Sequence, residues 1–512
     1  MIASFVLTYG LNSDETKAMA ARLAPYDLAN EIMELRPGLF FAYTGFGTNA
    51  APHDACIHPG KEMTFIYVGS ICNISDIRKL TIAEKIDPSL DDAGFLYEMY
   101  RHHGNSFFPF LQGRFIFLIV EEERIICLKD RMGSMQLYYS ASKEAFIITP
   151  EIKSLINSRF TPRLANIVDP GNNNISAFFD NIKRLGEETK LEFSGEKNYP
   201  LATRDYPDHL NFLSKAHFVS VKEAGDLFME LLISSVENSL DKASEVSIPV
   251  SGGVDSGTIA ALTARRAKKL FSFSIGTLDS NEFSEASELA EFINSEHSEI
   301  ILHVDDILDG IMENIYYNEV ADPLCLEILS PFASLFRNAG YCSDHMLTGY
   351  GADLLMGGTL LQELPDNVNS ISRTLIKKAA QSGEYNPFLA MKYGISVHHP
   401  YWTAALMSHC LSMPGSFKNY NREVKYFFRD AVYSRKILPS SIAWRPKLGI
   451  HVGSSISHII SRLISPVGDV TVNENKSAIY KEIIRLLFSE GVPIFQIDIS
   501  FYFKRRIAHL PK

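Results

Sequence analysis

Six consecutive residues, Ser251-Gly252-Gly253-Val254-Asp255-Ser256, have the types and spacing needed to hold a phosphate. Glycines let the backbone approach an anion and take turns that a side chain resists. Successive amide N–H groups and the start of a helix can then point at that anion. Ser251 and Ser256 add hydroxyl donors. Asp255 would repel a bare phosphate, but it suits a Mg²⁺ lying between, because Mg²⁺ is usually held by one or two carboxylates plus phosphate oxygens. No lysine follows the glycines where a Walker loop requires one, and the spacing is not GxGxxG. A second turn of small residues ending in an acid, Leu347-Thr348-Gly349-Tyr350-Gly351-Ala352-Asp353, follows another apolar run.

Elements that could position these loops are legible on both sides. The apolar run Val246–Val250 precedes the first loop, and a helix is expected to open near Gly257. Helix-like stretches (Val221–Lys242, Thr258–Lys269, Glu285–Ser295) alternate with short strands (Val246–Val250, Leu270–Ile275, Glu299–His303, His345–Thr348). Such alternation implies βαβ units and a parallel sheet. Two acid-bearing loops after two parallel strands meet at the carboxyl edge of that sheet, where ligands bind. The last 150 residues or so read mainly as helices covering it.

Residues before about position 200 follow a different pattern. Ile2–Leu7, Leu39–Tyr43, Thr64–Val68, Arg114–Val120, Arg124–Leu128 and Ala145–Thr149 are short β-branched and aromatic runs, interrupted by one expected helix, Asp92–His103. The polar, proline-bearing stretch Gly195–Ala216 reads as a linker. Two domains are therefore expected, 1–205 and 206–512.

The loop SGGVDS resembles the pyrophosphate loop of the N-type ATP pyrophosphatases, and LTGYGAD resembles their second acidic loop. Within that group the tyrosine at 350 is similar to the β-lactam synthetases and, more closely, the carbapenam synthetases. Five further stretches are similar to the same subgroup: FSIGTLDSNEFSEA (273–286), IYYNEV (315–320), SGEYN (382–386), YGISVHHPYW (393–402) and WRPKLGIHVGSS (444–455). The resemblance implies an α/β ATP-pyrophosphatase domain that cleaves ATP to AMP and pyrophosphate. It implies that Asp255 and Asp353 ligate Mg²⁺, and that Val250, Ser251, Gly252, Gly253, Asp255, Ser256, Ser274 and Gly349 contact the nucleotide. Tyr350 and Glu384 would form an acid–base dyad for the attacking nitrogen, and Lys447 would stabilise the tetrahedral intermediate and the leaving phosphate. The chemistry suits these types. A phenol of pKa about 10 needs a carboxylate beside it to work near neutral pH, and an ammonium supplies charge where an oxyanion develops.

Gly113-Arg114-Phe115, Asp130-Arg131, Leu137-Tyr138-Tyr139 and Pro150-Glu151-Ile152-Lys153 resemble the glutaminase scaffold of asparagine synthetases. An αββα sandwich of Ntn-hydrolase type is the implied fold. Position 2 is Ile2 rather than cysteine, so glutamine hydrolysis is not expected. The nucleophile is then sought inside the substrate, a small β-amino acid that would cyclise to a β-lactam, a bicyclic carbapenam first and a monocyclic product second. An ammonia-dependent asparagine synthetase and a lasso-peptide cyclase are the alternatives. His398-His399-Pro400 stands where arginine, histidine and proline are the usual order, and Val452 where an acid is usual.

Composition fits a globular enzyme. The 512 residues are 46% hydrophobic and 21% charged, with a formal net charge of −11. That balance argues against a broad nucleic-acid footprint. The six cysteines form no CxxC pair, so free thiols are expected. No signal segment and no membrane span is legible; a cytoplasmic enzyme is the expectation, with homo-oligomerisation left open.

Overall fold

Strand β1 (Ile2–Tyr9) is buried on both faces, because its residues alternate between two cores. Phe5 and Leu7 join one apolar cluster and Val6 joins another. The chain is seen here in a computed structural model describing residues 2–24, 30–45, 56–80, 86–87, 89–166, 173–187, 189–194, 197–204, 220–240, 243–360, 362–446, 455–464 and 471–504. The expected domain boundary at 205/206 lies outside the described residues.

The first half holds two antiparallel six-stranded sheets. One runs in the order β10 (Lys183–Arg184), β8 (Tyr138–Ala141), β9 (Phe146–Thr149), β1, β3 (Leu39–Gly45), β2 (Glu31–Arg36). The other runs β12 (Lys197–Arg204), β11 (Thr189–Ser194), β7 (Arg124–Lys129), β6 (Gly113–Glu121), β5 (Met63–Ile71), β4 (Ile57–Pro59). Phe5, Leu7 and Phe41 from the first share a core with Phe65 and Phe117 from the second. Helix α1 (Ser13–Ala20) packs Met19 and Ala20 on the outside of the first sheet against Val6 and Ala42. Helix α2 (Asp92–His103) covers the second sheet with Phe95, Leu96 and Met99. The result is the αββα sandwich expected. Strands β6 and β7 form a hairpin, pairing antiparallel down to Val120 and Ile125.

The second half is built on a five-stranded parallel sheet in the order β15 (Glu296–Ile301), β14 (Lys269–Gly276), β13 (Glu245–Pro249), β16 (His345–Leu347), β17 (Ser396–His398). Helices α3 (Val221–Leu240), α4 (Val254–Ala264), α5 (Phe283–Ile293), α6 (Val304–Tyr316) and α7 (Pro323–Ala339) flank it. The order reverses at β13, whose neighbours are β14 on one side and β16 on the other. A crevice therefore opens beyond the carboxyl ends of β13 and β16. Several boundaries differ from expectation: the stretch read as a linker, Gly195–Ala216, holds strand β12 paired to β11, and the helix expected to run to Lys269 ends at Ala264. Helix α4 starts at Val254, not near Gly257, because Gly253 takes an extended N-cap conformation immediately before it. Strand β15 starts three residues earlier than Glu299, because Asn294 closes α5 in the left-handed conformation and turns the chain at once. Among the described residues no helix is long and apolar enough to cross a membrane, and all six cysteines are free.

The halves are joined by buried polar contacts. Lys153, 0% exposed, sits 2.5 Å from Glu151 and 3.5 Å from Glu319, both also 0% exposed. Burial works against the Lys153 charge, but the two carboxylates outweigh it and raise its pKa. Burial pushes Glu319 up to about 7 while Lys153 pulls it down. Breaking a buried pair leaves charge stranded and costs about 3–5 kcal/mol. Lys153→Met should therefore lower stability by about that much in urea unfolding at pH 8.5. The loss should be smaller at pH 6, where the raised carboxyl can take a proton. A midpoint unchanged at both pH values would refute the account.

A second set of contacts holds the end of helix α9, with α8 (Ala352–Met356) and α9 (Pro365–Ser382) next in order. Helix ends carry carbonyls without intrahelical partners. Here side chains of the first half supply donors: Asn173 Nδ2 to Lys378 O (3.2 Å), Gln136 Nε2 to Ala380 O (2.9 Å) and Asn174 Nδ2 to Gln381 O (2.5 Å). Ser382 Oγ donates to Ala379 O (3.0 Å).

Candidate active site

A cavity of about 610 Å³ lies in the crevice beyond β13 and β16. Its lining includes Val250, Ser251, Asp255, Ser256, Ser274 and Gly349, six of the eight residues that the resemblance assigns to a nucleotide. Gly252 and Gly253 do not line it. They shape the loop instead. Gly252 has φ +67°, and a Cβ there would lie 2.5 Å from the Glu285 backbone, so only glycine fits without displacement. The loop closes on itself through Ser251 N–H donating to Ser256 Oγ at 3.3 Å. The two loops touch: a Cβ on Gly349 would sit 2.8 Å from Ser256 N.

Asp255 and Asp353 converge on one cation. Lys425 Nζ is 2.6 Å from Asp255 Oδ2 and also pairs with Asp353 Oδ1. Lys425 is 1% exposed and stands in the left-handed conformation at φ +59°. A Cβ at Gly358 would collide with both Asp353 and Lys425. Among the described residues no group of three or more His, Cys, Asp or Glu forms a metal cage. Two carboxylates sharing an ammonium fit a Mg²⁺ that completes its shell with phosphate and water oxygens.

Tyr350 and Glu384 are brought into contact. Tyr350 Oη donates to Glu384 Oε2 at 3.0 Å, and both line the cavity. Glu384 stands in the polar turn QSGEYN, yet it is only 8% exposed. Burial pushes its carboxyl up, and hydrogen bonds from Cys325 and Tyr350 pull it back. Burial likewise drives the Tyr350 phenol well above its ordinary value, with Glu384 adding to the rise. Behind the dyad, Thr348 Oγ1 accepts from Tyr350 N–H at 3.2 Å and lies 2.7 Å from His399 Nδ1. Burial, then Arg114, lowers His399 to about 3. A neutral imidazole there can accept the Thr348 proton. His398 and His399 do not line the cavity; the departure from arginine at 398 bears on packing beneath it, where the His398 ring stacks on His345 at 4.5 Å, while the His399 ring lies tilted 5.9 Å from Tyr350.

Lys447 and Val452 lie outside the described residues. Sequence reasoning missed Lys425, Asp322 and Cys325. Asp322-Pro323 is a legible helix start, an N-cap acid followed by proline, and Asp322 Oδ1 does accept from Cys325 N–H at 2.9 Å. Nothing in that signature says that Cys325 would reach Glu384, whose Oε2 is 3.1 Å from its sulfur. Lys425 stands in VKYFF with no turn or spacing signal at all.

Comparison with known proteins agrees with this architecture. The family described as asparagine synthase matches residues 227–388 and 385–492, together more than half of the chain, and a glutamine amidotransferase domain matches 49–157. The chain is 24% identical over 443 residues to the carboxyethyl-arginine beta-lactam-synthase of Streptomyces clavuligerus, covering 86% of this chain and 84% of that protein. It is 23% identical over 380 residues to asparagine synthetase B (glutamine-hydrolyzing) of Escherichia coli, covering 70% of this chain and 64% of that one. It is 23% identical over 404 residues to the glutamine-hydrolyzing asparagine synthetase of Gallus gallus, covering 74% and 70%. With two acidic loops on the carboxyl edge of a parallel sheet and the family match spanning most of the second half, the chain belongs to the asparagine synthase family of ATP-dependent, amide-forming ligases.

Proposed function

We propose that the chain activates the carboxylate of a β-amino acid with ATP and closes an amide inside the same molecule, giving a β-lactam. One observation carries this reading: the Tyr350–Glu384 hydrogen bond of 3.0 Å, enclosed in the cavity that also holds the nucleotide loops. The substrate carboxylate displaces pyrophosphate from the α-phosphorus of ATP. The substrate's own nitrogen then attacks the acyl carbon, and AMP leaves. As the N–C bond forms, the nitrogen's proton passes to the Tyr350 oxygen while the phenol proton passes to Glu384 Oε2. Bound between Asp255 and Asp353, a Mg²⁺ would neutralise phosphate charge. Lys447 is assigned, on resemblance alone, to the charge on the tetrahedral intermediate.

A bicyclic, carbapenam-type product is the first choice. Leu324, Ile328, Phe332, Leu375 and Ala379 give the cavity much hydrocarbon lining, which suits a pyrrolidine ring. The monocyclic product is second.

The test is pyrophosphate release across a panel of β-amino acids, including carboxymethylproline and carboxyethyl-arginine, with products read by mass. A product lighter than its substrate by one water supports cyclisation. A product that instead gains ammonia replaces this reading with an asparagine synthetase one.

A further inference from the structure

Glu384 uses its two carboxylate oxygens unequally. Oε2 takes both protein donors, Tyr350 Oη at 3.0 Å and Cys325 Sγ at 3.1 Å. Oε1 accepts no hydrogen bond from any described residue, although the side chain is more than nine-tenths buried and lines the cavity. Oε1 is not one of the fully enclosed side-chain atoms that lack a partner, so it opens on the cavity. An oxygen left open in a cavity wall is therefore placed for a donor that arrives with the ligand. Cys325 is well fixed for its part. It sits in the first turn of α7, and its own N–H is held by Asp322.

We propose that Cys325 is a positioning residue for amide closure: with Tyr350 it occupies both lone pairs of Glu384 Oε2, fixes the carboxylate plane, and reserves Oε1 for an N–H of a substrate amine that enters as an ammonium ion. This deepens the β-amino acid reading and rests on it. The thiol forms and breaks no covalent bond. It holds the carboxylate so that one oxygen faces the phenol and the other faces the nitrogen. A single-donor arrangement would let the carboxylate turn, and each rotamer would present the wrong lone pair to the phenol. The groups facing Glu384 are Asp322, which caps α7, Cys325 in its first turn, Tyr350 from the loop after β16, and Tyr385 next to Glu384 in sequence. Asp322 opposes the Glu384 charge, whereas the thiol and the phenol favour it. Loss of the thiol donor therefore moves the proton affinity of Glu384 upward.

Two measurements test this. The first needs no substrate. Iodoacetamide labelling of the whole chain, resolved by peptide, compares Cys325 with half-buried Cys342 as an internal standard. Glu384→Gln should speed Cys325 labelling about tenfold, because the neighbouring negative charge that opposes thiolate formation is gone. Cys342 should not change. Equal Cys325 rates in both proteins would overturn the contact. The second uses whichever β-amino acid supports pyrophosphate release. Cys325→Ala should slow closure about tenfold at pH 7 and shift the acidic limb of its pH profile upward, with pyrophosphate formation unchanged. Cys325→Ser, which keeps a donor, should restore both. If Cys325→Ala loses pyrophosphate formation as well, or if its profile matches wild type, the positioning role is wrong. If no β-amino acid releases pyrophosphate, the proposed function fails, and the labelling result still decides the Cys325 contact.

Discussion

Asp255→Asn should cut pyrophosphate formation by about 100-fold or more while leaving a folded protein. Asparagine keeps the shape of the residue but removes a charge and places an amide where an anionic donor belongs. Asp255 is 3% exposed and is already engaged by Lys425, so the lost charge has no nearby carboxylate to replace it except Asp353. Lys425 would keep Asp353 as a partner and lose the 2.6 Å contact to residue 255. The loop itself should survive, because its closure runs through Ser251 and Ser256 rather than through the carboxylate. The check is pyrophosphate release together with a thermal melt, which separates a dead site from an unfolded one. Normal release by a well-folded Asp255→Asn would remove the metal from the proposal altogether.

Tyr350→Phe and Glu384→Gln should divide the reaction in two. Neither residue is among the phosphate-loop residues, so exchange of labelled pyrophosphate into ATP should continue. Closure should fall by roughly 10²–10⁴, the usual worth of positioned acid–base groups. Wild-type closure should also fall as the pH drops through the raised Glu384 value, since only the carboxylate can accept the phenol proton. The stability effect has the opposite sign. A carboxyl raised by burial binds protons more readily folded than unfolded, so its contribution to stability is lost as pH rises through the folded value. Glu384→Gln should therefore melt no lower than wild type at pH 8, and higher if the charge is costly, while its closure rate collapses. A variant that keeps normal closure would dissolve the dyad.

The division between what could be read and what could not follows the range of the forces involved. Loop chemistry is local. SGGVDS and LTGYGAD each hold their glycines and acids within a few residues, and the strands before them are apolar runs that must be buried. Their meeting also followed, since parallel strands deliver loops to one edge. Glu384 was named only by resemblance. Nothing in QSGEYN marks it as enclosed, because its burial is made by α7 and by the β16 loop, far away in sequence. Lys425 was missed for the same reason: its partners are 170 and 72 positions upstream. Strand β17 was missed because three residues with one fully buried side chain give no periodicity. The start of α4 was misplaced by a few residues, which is the ordinary error at helix boundaries.

The end of helix α9 is finished by amides that belong to the other half of the chain, two residues before the proposed base. Whatever chemistry the first 200 or so residues perform or have abandoned, their outline is part of the catalytic geometry. Drift in sequence is tolerable there only so far as Gln136, Asn173 and Asn174 still arrive at the same carbonyls. Selection is free to rewrite that half's reactivity, but the halves must keep the same fit, much as a lock may change its key but not the door it hangs on.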